Sequence, residues 1–392
     1  MFNRRRVYLD TAAAAPVTPS SREAFMRAVS TFGNPSGMHE EGRSAKKVLE
    51  KARVSIARLA GAKTEHVVFT SGATEANALA IGGTIETLLK TGRSAQEIEV
   101  LYHPGAHASL VHQAEALLKR GVLVRELPLV DGDVSIKELE NMLSERTALV
   151  TLEVISSETG RRMDTRAIRR ALDAYTKEGP HIVLHVDASQ LPLVEPIDRT
   201  RLGADLMTLD AQKAGGVRGI GVLIRAKDVR LSPVVFGGGQ EQGLRPGTES
   251  PALAESMANA LTVAEKNREP FSKGAEAVRT RLIRRVQEGI PDALVLGGPH
   301  HAPHILTFAL PGRDADYLVA LLDEAGFAIS TKSACETDSG QGSRMALAET
   351  RDALLSTSTL RISWNEAISE RDLERFSEAL IKSVRFLDRK RT

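Results

Sequence analysis

Between positions 42 and 60, Ala45, Val48, Leu49, Ala52, Ile56, Leu59 and Ala60 recur at helical spacing, and Gly61 follows as a stop. The period then changes. The run HVVFT (66–70) is short, continuously apolar and reads as a buried strand; it passes straight into SGATEAN (71–77), from which a second helix continues to about residue 90. The alternation repeats with a strand at 99–103, a helix near 107–119 and a strand at 121–127, and further apolar runs follow at 148–155, 181–187, 205–210 and 219–224. Near-continuous apolar strands alternating with helices predict a mostly parallel sheet buried on both faces.

Beyond residue 250 the texture shifts. A helix-rich stretch (251–290) is followed by an apolar run at 303–310, a helix at 314–326, a short strand at 327–330, another at 360–364 and a final helix at 369–387. This reads as a smaller α/β domain packed on the first. The expected division is an N-terminal segment (1–16) joining the small domain, a large domain (17–258), and a small C-terminal domain (259–392).

In open α/β sheets, ligands bind outside the carboxyl ends of the strands. Three polar features stand there. The turn SGAT (71–74) offers free backbone N–H groups at a helix start, an anion site or simply an N-cap. Asp187 ends the 181–187 run, with Gln190 three residues on; it can pair with a buried cation or cap a helix. Lys213 closes DLMTLDAQK before a glycine-rich stretch, and is either a surface lysine or one able to form a covalent imine. Taken together they are more specific than singly. Pyridoxal phosphate needs a helix N-terminus for its phosphate, a carboxylate for its ring nitrogen and a lysine for its aldehyde.

Composition narrows the field. A net charge of +2 implies no strong field for nucleic acid or a membrane surface, and 4% aromatic residues weaken any base-stacking role. No run approaches a membrane span, and the basic start lacks the apolar core of a secretory signal. The single cysteine, Cys335, excludes an intrachain disulfide and fits a cytoplasmic protein. It lies in STKSACETDSGQGSR (330–344), a loop-like run with no large apolar residue to pack against, which argues against a packing role.

On these residues the chain resembles the cysteine desulfurases of the class V aminotransferase group, fold type I pyridoxal phosphate enzymes, along nearly its whole length. YLDTAAAAP (8–16) is similar to the family's opening segment, and GNPSGMHEEGRSA (33–45), with Asn34, to its Gly-Asn-Pro-Ser motif. SGATEAN resembles the phosphate turn, which implies Ala73 and Thr74 as cofactor contacts. His107 falls where the family stacks a histidine on the ring. DASQ (187–190) implies Asp187 at the pyridine nitrogen and Gln190 near the phenolic oxygen. GGGQEQGLRPGT (237–248) implies that Thr248 reaches the phosphate of a neighbouring subunit, SAC (333–335) matches the catalytic loop, and STLRIS (358–363) implies Arg361 as the holder of the substrate carboxylate, a role in which Asn34 shares substrate binding.

The resemblance implies a mostly parallel seven-stranded sheet, no metal, a homodimer, L-cysteine as substrate, and a persulfide on Cys335 passed to an iron–sulfur scaffold or a tRNA-thiolation enzyme. The length of the loop region resembles the long-loop type. Two stretches depart from the family. SSETG (156–160) puts Ser157 where the family has an asparagine at the phenolic oxygen. DAQK (210–213) puts Gln212 where a histidine touches the phosphate, and Asp210, an anion, where a serine does. A related class V enzyme without the thiol chemistry, or a non-catalytic paralogue, are the competing readings. Visible absorbance of lysine-bound cofactor separates the last from the enzymes, and alanine or sulfide release separates the first two.

Overall fold

The computed structural model describes residues 6–177, 181–331 and 342–391. Its centre is a seven-stranded sheet, in the order Val67–Thr70, Gly221–Arg225, Leu206–Asp210, Val183–Asp187, Thr147–Glu153, Glu99–Tyr102 and Leu123–Glu126. All pairings are parallel except those of Gly221–Arg225, which runs antiparallel to both its neighbours. That reversed strand presses on the turn after Thr70: a Cβ at Gly221 would meet the backbone carbonyl carbon of Gly72 at 2.6 Å. Three strands after residue 146, Thr147–Glu153, Val183–Asp187 and Leu206–Asp210, are buried almost throughout, as helices on both faces require.

Local chemistry sets the element ends. The helix read as starting at 42 begins at Glu40, because His39 caps it by accepting from Gly42 N at 3.2 Å. The helix read as reaching 119 ends at Ala116 and tightens into a 3₁₀ turn, Leu117–Arg120, closed by Gly121 in the left-handed region at φ 81°.

The second layer is a three-stranded antiparallel sheet, Leu294–Leu296, Ile305–Ala309 and Thr359–Ser363, covered by helices Ala315–Glu324 and Glu370–Arg391. Its core includes Phe308, Ile362, Trp364 and Phe376. The helix-rich stretch is one helix, Pro251–Gly289, with Pro270 inside it. Proline removes a helical N–H, yet the helix continues because both halves are anchored. Ala254 to Ala264 pack into the first core and Ala275 to Val286 into the second, and Phe271 touches both. The expected boundary after residue 258 thus falls inside a continuous helix. The N-terminal Val7–Tyr8 pairs in parallel with Phe327–Ala328, and Asp10 bridges to Ser363. Among the described residues no helix is long and apolar enough to cross a membrane.

Candidate active site

The chemistry-bearing residues gather where the parallel strands end. Asp187 is the last residue of its strand and is buried. Its Oδ2 accepts from Asn77 Nδ2 at 2.8 Å and its Oδ1 from Ser189 N at 2.9 Å. Asn77 also donates to Ser109 Oγ at 2.9 Å, and that hydroxyl faces His107 Nδ1 at 2.8 Å. His107 Nδ1 accepts from Ser109 N as well, at 3.1 Å, so the ring hydrogen of the neutral imidazole sits on Nε2. Burial lowers the His107 pKa and favours that neutral form. The result is one continuous network, Asp187–Asn77–Ser109–His107, between two strand ends.

Glu153 ends the neighbouring strand, Thr147–Glu153. One carboxylate oxygen accepts from the His107 backbone N–H, and the other from Ser157 N at 2.9 Å. Both bonds favour the charged form, but burial, reinforced by the field of Asp187, prevails and pushes its pKa up to about 8. Ser157 is buried between this carboxylate and Arg361, whose Nη1 donates to its carbonyl at 2.7 Å.

Lys213 lies in the 3₁₀ turn Ala211–Ala214 that follows strand Leu206–Asp210. Its Nζ donates to the carbonyls of Ala12 at 2.7 Å and Ala13 at 2.6 Å, and no carboxylate is paired with it among the described residues. Burial lowers its pKa, and Arg361 adds to the effect; Asp210, Asp187 and Glu153 oppose it. Lys213, Asp187, Glu153 and Arg361 thus lie near enough for the lysine to feel the charge of the other three. Gln190 is turned toward the same N-terminal arc, donating from Nε2 to Ala12 O at 2.9 Å. Arg361 is 2% exposed and gives its Nη2 to Asp10 Oδ1 at 2.6 Å. An internal carboxylate therefore already engages the guanidinium expected to take a substrate carboxylate.

The turn 71–74 leads into helix Ala73–Lys90. Ala73 N donates to Asp210 Oδ2 at 3.1 Å, while Asp210 Oδ1 accepts from Gln212 N at 3.0 Å; Gln212 Nε2 lies 3.4 Å from Oδ2. Thr74 is exposed in the first turn. Asn34 and Thr248 are exposed, and no described contact joins them to the cluster; Asn34 Oδ1 closes its own turn by accepting from Ser36 N at 2.9 Å. The segment before Thr248 is firmly held. Arg53 and Glu241 form a buried two-point ion pair at 2.7 Å, and Glu241 also accepts from Phe69 N at 2.8 Å.

Cys335 lies outside the described residues. The chain on either side of 332–341 is tied to the site: Thr359 Oγ1 donates to Thr331 O at 2.7 Å, and Glu158 Oε2 accepts from Ser343 Oγ at 2.6 Å and Met345 N at 3.0 Å.

Sequence reasoning did not select Asp10, Asn77, Glu153 or Glu158. Asn77 had a signal: it is four residues after Ala73, on the same helix face, where Ala76 and Leu79 to either side are buried. Glu153 had another, as a carboxylate closing a seven-residue strand that is otherwise apolar or Thr. We expect Asn77→Ala to lower kcat/KM by about 10- to 100-fold, as loss of a supporting shell does. Steady-state kinetics beside a thermal melt check this; full activity in the variant contradicts the network's role.

The donor set fits pyridoxal phosphate. A buried strand-end carboxylate, a neutral imidazole, a lysine with lowered pKa and a helix N-terminus are what the ring, aldehyde and phosphate require. Unused hydrogen-bonding capacity is also present here, since Asn77 Oδ1, Ser189 Oγ and Arg361 Nε are buried without a partner.

Comparison with known proteins agrees. The family model described as aminotransferase class-V matches residues 7–376. The chain is 32% identical to an IscS-like cysteine desulfurase of Mycobacterium tuberculosis over 96% of each sequence. A solved structure titled NifS-like protein superposes with a TM-score of 0.89 at 26% identity, covering 97% of this chain and 100% of that one. Another, titled SspA in complex with cysteine, gives 0.76 at 26% identity over 91% and 98%. With the family's model matching from the first strand to the last helix, and with a lysine, an aspartate and a helix start meeting at the strand ends, the chain belongs to the class V aminotransferase family of pyridoxal phosphate enzymes, among the cysteine desulfurases.

Proposed function

We propose that this protein converts L-cysteine to L-alanine and keeps the sulfur as a persulfide on Cys335, from which it passes to an acceptor protein. The observation that carries the reading is the gathering of Lys213, Asp187, His107 and Arg361 near the strand ends, in a chain whose single cysteine follows the family's SAC pattern. Relatives named cysteine desulfurases and a structural neighbour titled as a cysteine complex support it.

When bound, pyridoxal phosphate supplies an electron sink for bonds around the substrate's α-carbon. Lys213 would hold its aldehyde, Asp187 its ring nitrogen, His107 its ring face, Gln190 and Ser157 its phenolic oxygen, and Ala73, Thr74 and Gln212 its phosphate. Asp187 keeps a fixed orientation because Asn77 and Ser189 N both donate to it. Lys213, with its pKa lowered by burial, gives up a proton from Nζ more readily than an exposed lysine does, and can take it back. Arg361 binds the substrate carboxylate, with Asn34 assisting, and exchanges Asp10 for it. The Cys335 thiolate attacks the substrate sulfur: an S–S bond forms, the C–S bond breaks, and its electron pair stays with the substrate's β-carbon, which takes up a proton to become alanine's methyl group. Sulfur is oxidised and carbon reduced, so no outside oxidant or reductant is needed.

The test is direct. Protein loaded with cofactor should release alanine from L-cysteine, with an equal amount of sulfide when dithiothreitol is present. An aminotransferase would yield a keto acid and no sulfide, and that outcome rejects the reading.

The active form is proposed to be a cytoplasmic homodimer in which Thr248 of each chain serves the other's phosphate site. This accords with Thr248 being exposed and making no described contact with its own cluster, on a segment held by the Arg53–Glu241 and Arg245–Glu75 pairs, and with the prevalence of twofold dimers. Sedimentation at micromolar concentration should show a dimer; a fully active monomer excludes it. The acceptor is proposed to be an iron–sulfur scaffold or a tRNA-thiolation enzyme.

A further inference from the structure

We propose that Asp210 acts as an internal competitor for the cofactor's phosphate, so that this protein holds pyridoxal phosphate more weakly than its other contacts allow. The inference rests on the cofactor reading above. Asp210 Oδ2 accepts from Ala73 N at 3.1 Å, and Ala73 is the first residue of helix Ala73–Lys90. Helix N-termini attract anions through free N–H groups and the helix dipole. Here one such donor is engaged by a carboxylate of the same chain. Asp210 is 6% exposed, and the backbone keeps it aimed at the turn, because Oδ1 accepts from Gln212 N at 3.0 Å and caps the 3₁₀ turn that carries Lys213. Gly72, beside it, is so near that a Cβ there would lie 3.5 Å from Asp210 Oδ2. A phosphate arriving at this turn meets a negative charge already on one of its donors. It must displace that carboxylate or accept fewer bonds beside a like charge.

A purely structural role would make Asp210 just the cap of the Lys213 turn. The two roles separate by substitution. Asp210→Asn keeps an oxygen for Gln212 N but removes the charge; Asp210→Ser keeps a hydroxyl that can donate to phosphate. They also separate by ligand. Pyridoxal has the aldehyde and ring but no phosphate, so it reports on Lys213 and Asp187 without the turn. That control matters because Asp210 also favours the charged form of Lys213, and its loss alone could help imine formation.

The experiment titrates the cofactor-free full-length protein with pyridoxal phosphate and, separately, with pyridoxal, following visible absorbance, with thermal melts to show that each variant is folded. Both variants should bind pyridoxal phosphate about tenfold more tightly than the parent protein, with pyridoxal affinity unchanged within about twofold, so that the dissociation constant for pyridoxal divided by that for pyridoxal phosphate rises. An unchanged or weaker affinity for pyridoxal phosphate in folded variants that still bind pyridoxal overturns the role of Asp210 and leaves the cofactor reading standing. An equal gain for both ligands also overturns it, because the effect would then come through Lys213. Failure of the parent and both variants to bind either ligand overturns the cofactor reading and this inference with it.

Discussion

Lys213→Ala should show no visible band of lysine-bound cofactor, and its turnover of cysteine should fall by at least about a thousandfold. Alanine can neither form the covalent bond nor move a proton at the position that Nζ occupies. Other candidates for the role fail on geometry. His107 has its Nδ1 tied to Ser109, and Arg361 is a guanidinium committed to Asp10 and Ser157 O. The cost to folding is modest, since the lost partners are two carbonyls, Ala12 O and Ala13 O, with net hydrogen-bond contributions of about 1 kcal/mol each. A band that survives dialysis and borohydride treatment in the variant would place the attachment elsewhere.

Cys335→Ser is expected to split binding from sulfur transfer. The variant should keep the cofactor band and the spectral response to cysteine, while alanine production drops by about a thousandfold or more. The thiolate is the attacking species, and a serine hydroxyl stays protonated near neutral pH and attacks sulfur poorly. The run around Cys335 has Ser, Gly and Asp in place of apolar partners, so stability should change by only a few tenths of a kcal/mol. Retained alanine production means the C–S bond breaks without this thiol; a large loss of stability means Cys335 is a packing residue.

Much of the sheet was legible, because strands buried on both faces carry unbroken apolar runs that no other element imitates at that length. The direction of Gly221–Arg225 was not: a buried strand reads the same either way, and its reversal depends on the short return from the Lys213 turn. The helix Pro251–Gly289 was underread, since Pro270 signals a break by local rule and only packing against two cores carries the helix through. In the site, Asp187, Lys213 and the 71–74 turn could be found because strand ends are where chemistry collects. Asp10 could not. Its importance comes from pairing with Arg361, a partner over three hundred residues away, and nothing local in the sequence encodes that meeting. Gln190 was singled out by its place after Asp187, but its bond to Ala12 O is a property of the folded arc alone.

That arc has a consequence for how the protein is made. Val7 pairs with Phe327 and Asp10 with Ser363, and the same few residues supply the carbonyls that hold Lys213. This stretch must therefore wait for partners made more than three hundred residues later. At about 5–20 residues per second the delay is tens of seconds, during which the large sheet can already form. Throughout that interval Arg361 has not been synthesised, and Asp10 has no guanidinium to pair with. Completion of the catalytic enclosure is thus a late event by chain order, and a product stalled before Thr359–Ser363 would hold a folded sheet without an assembled site.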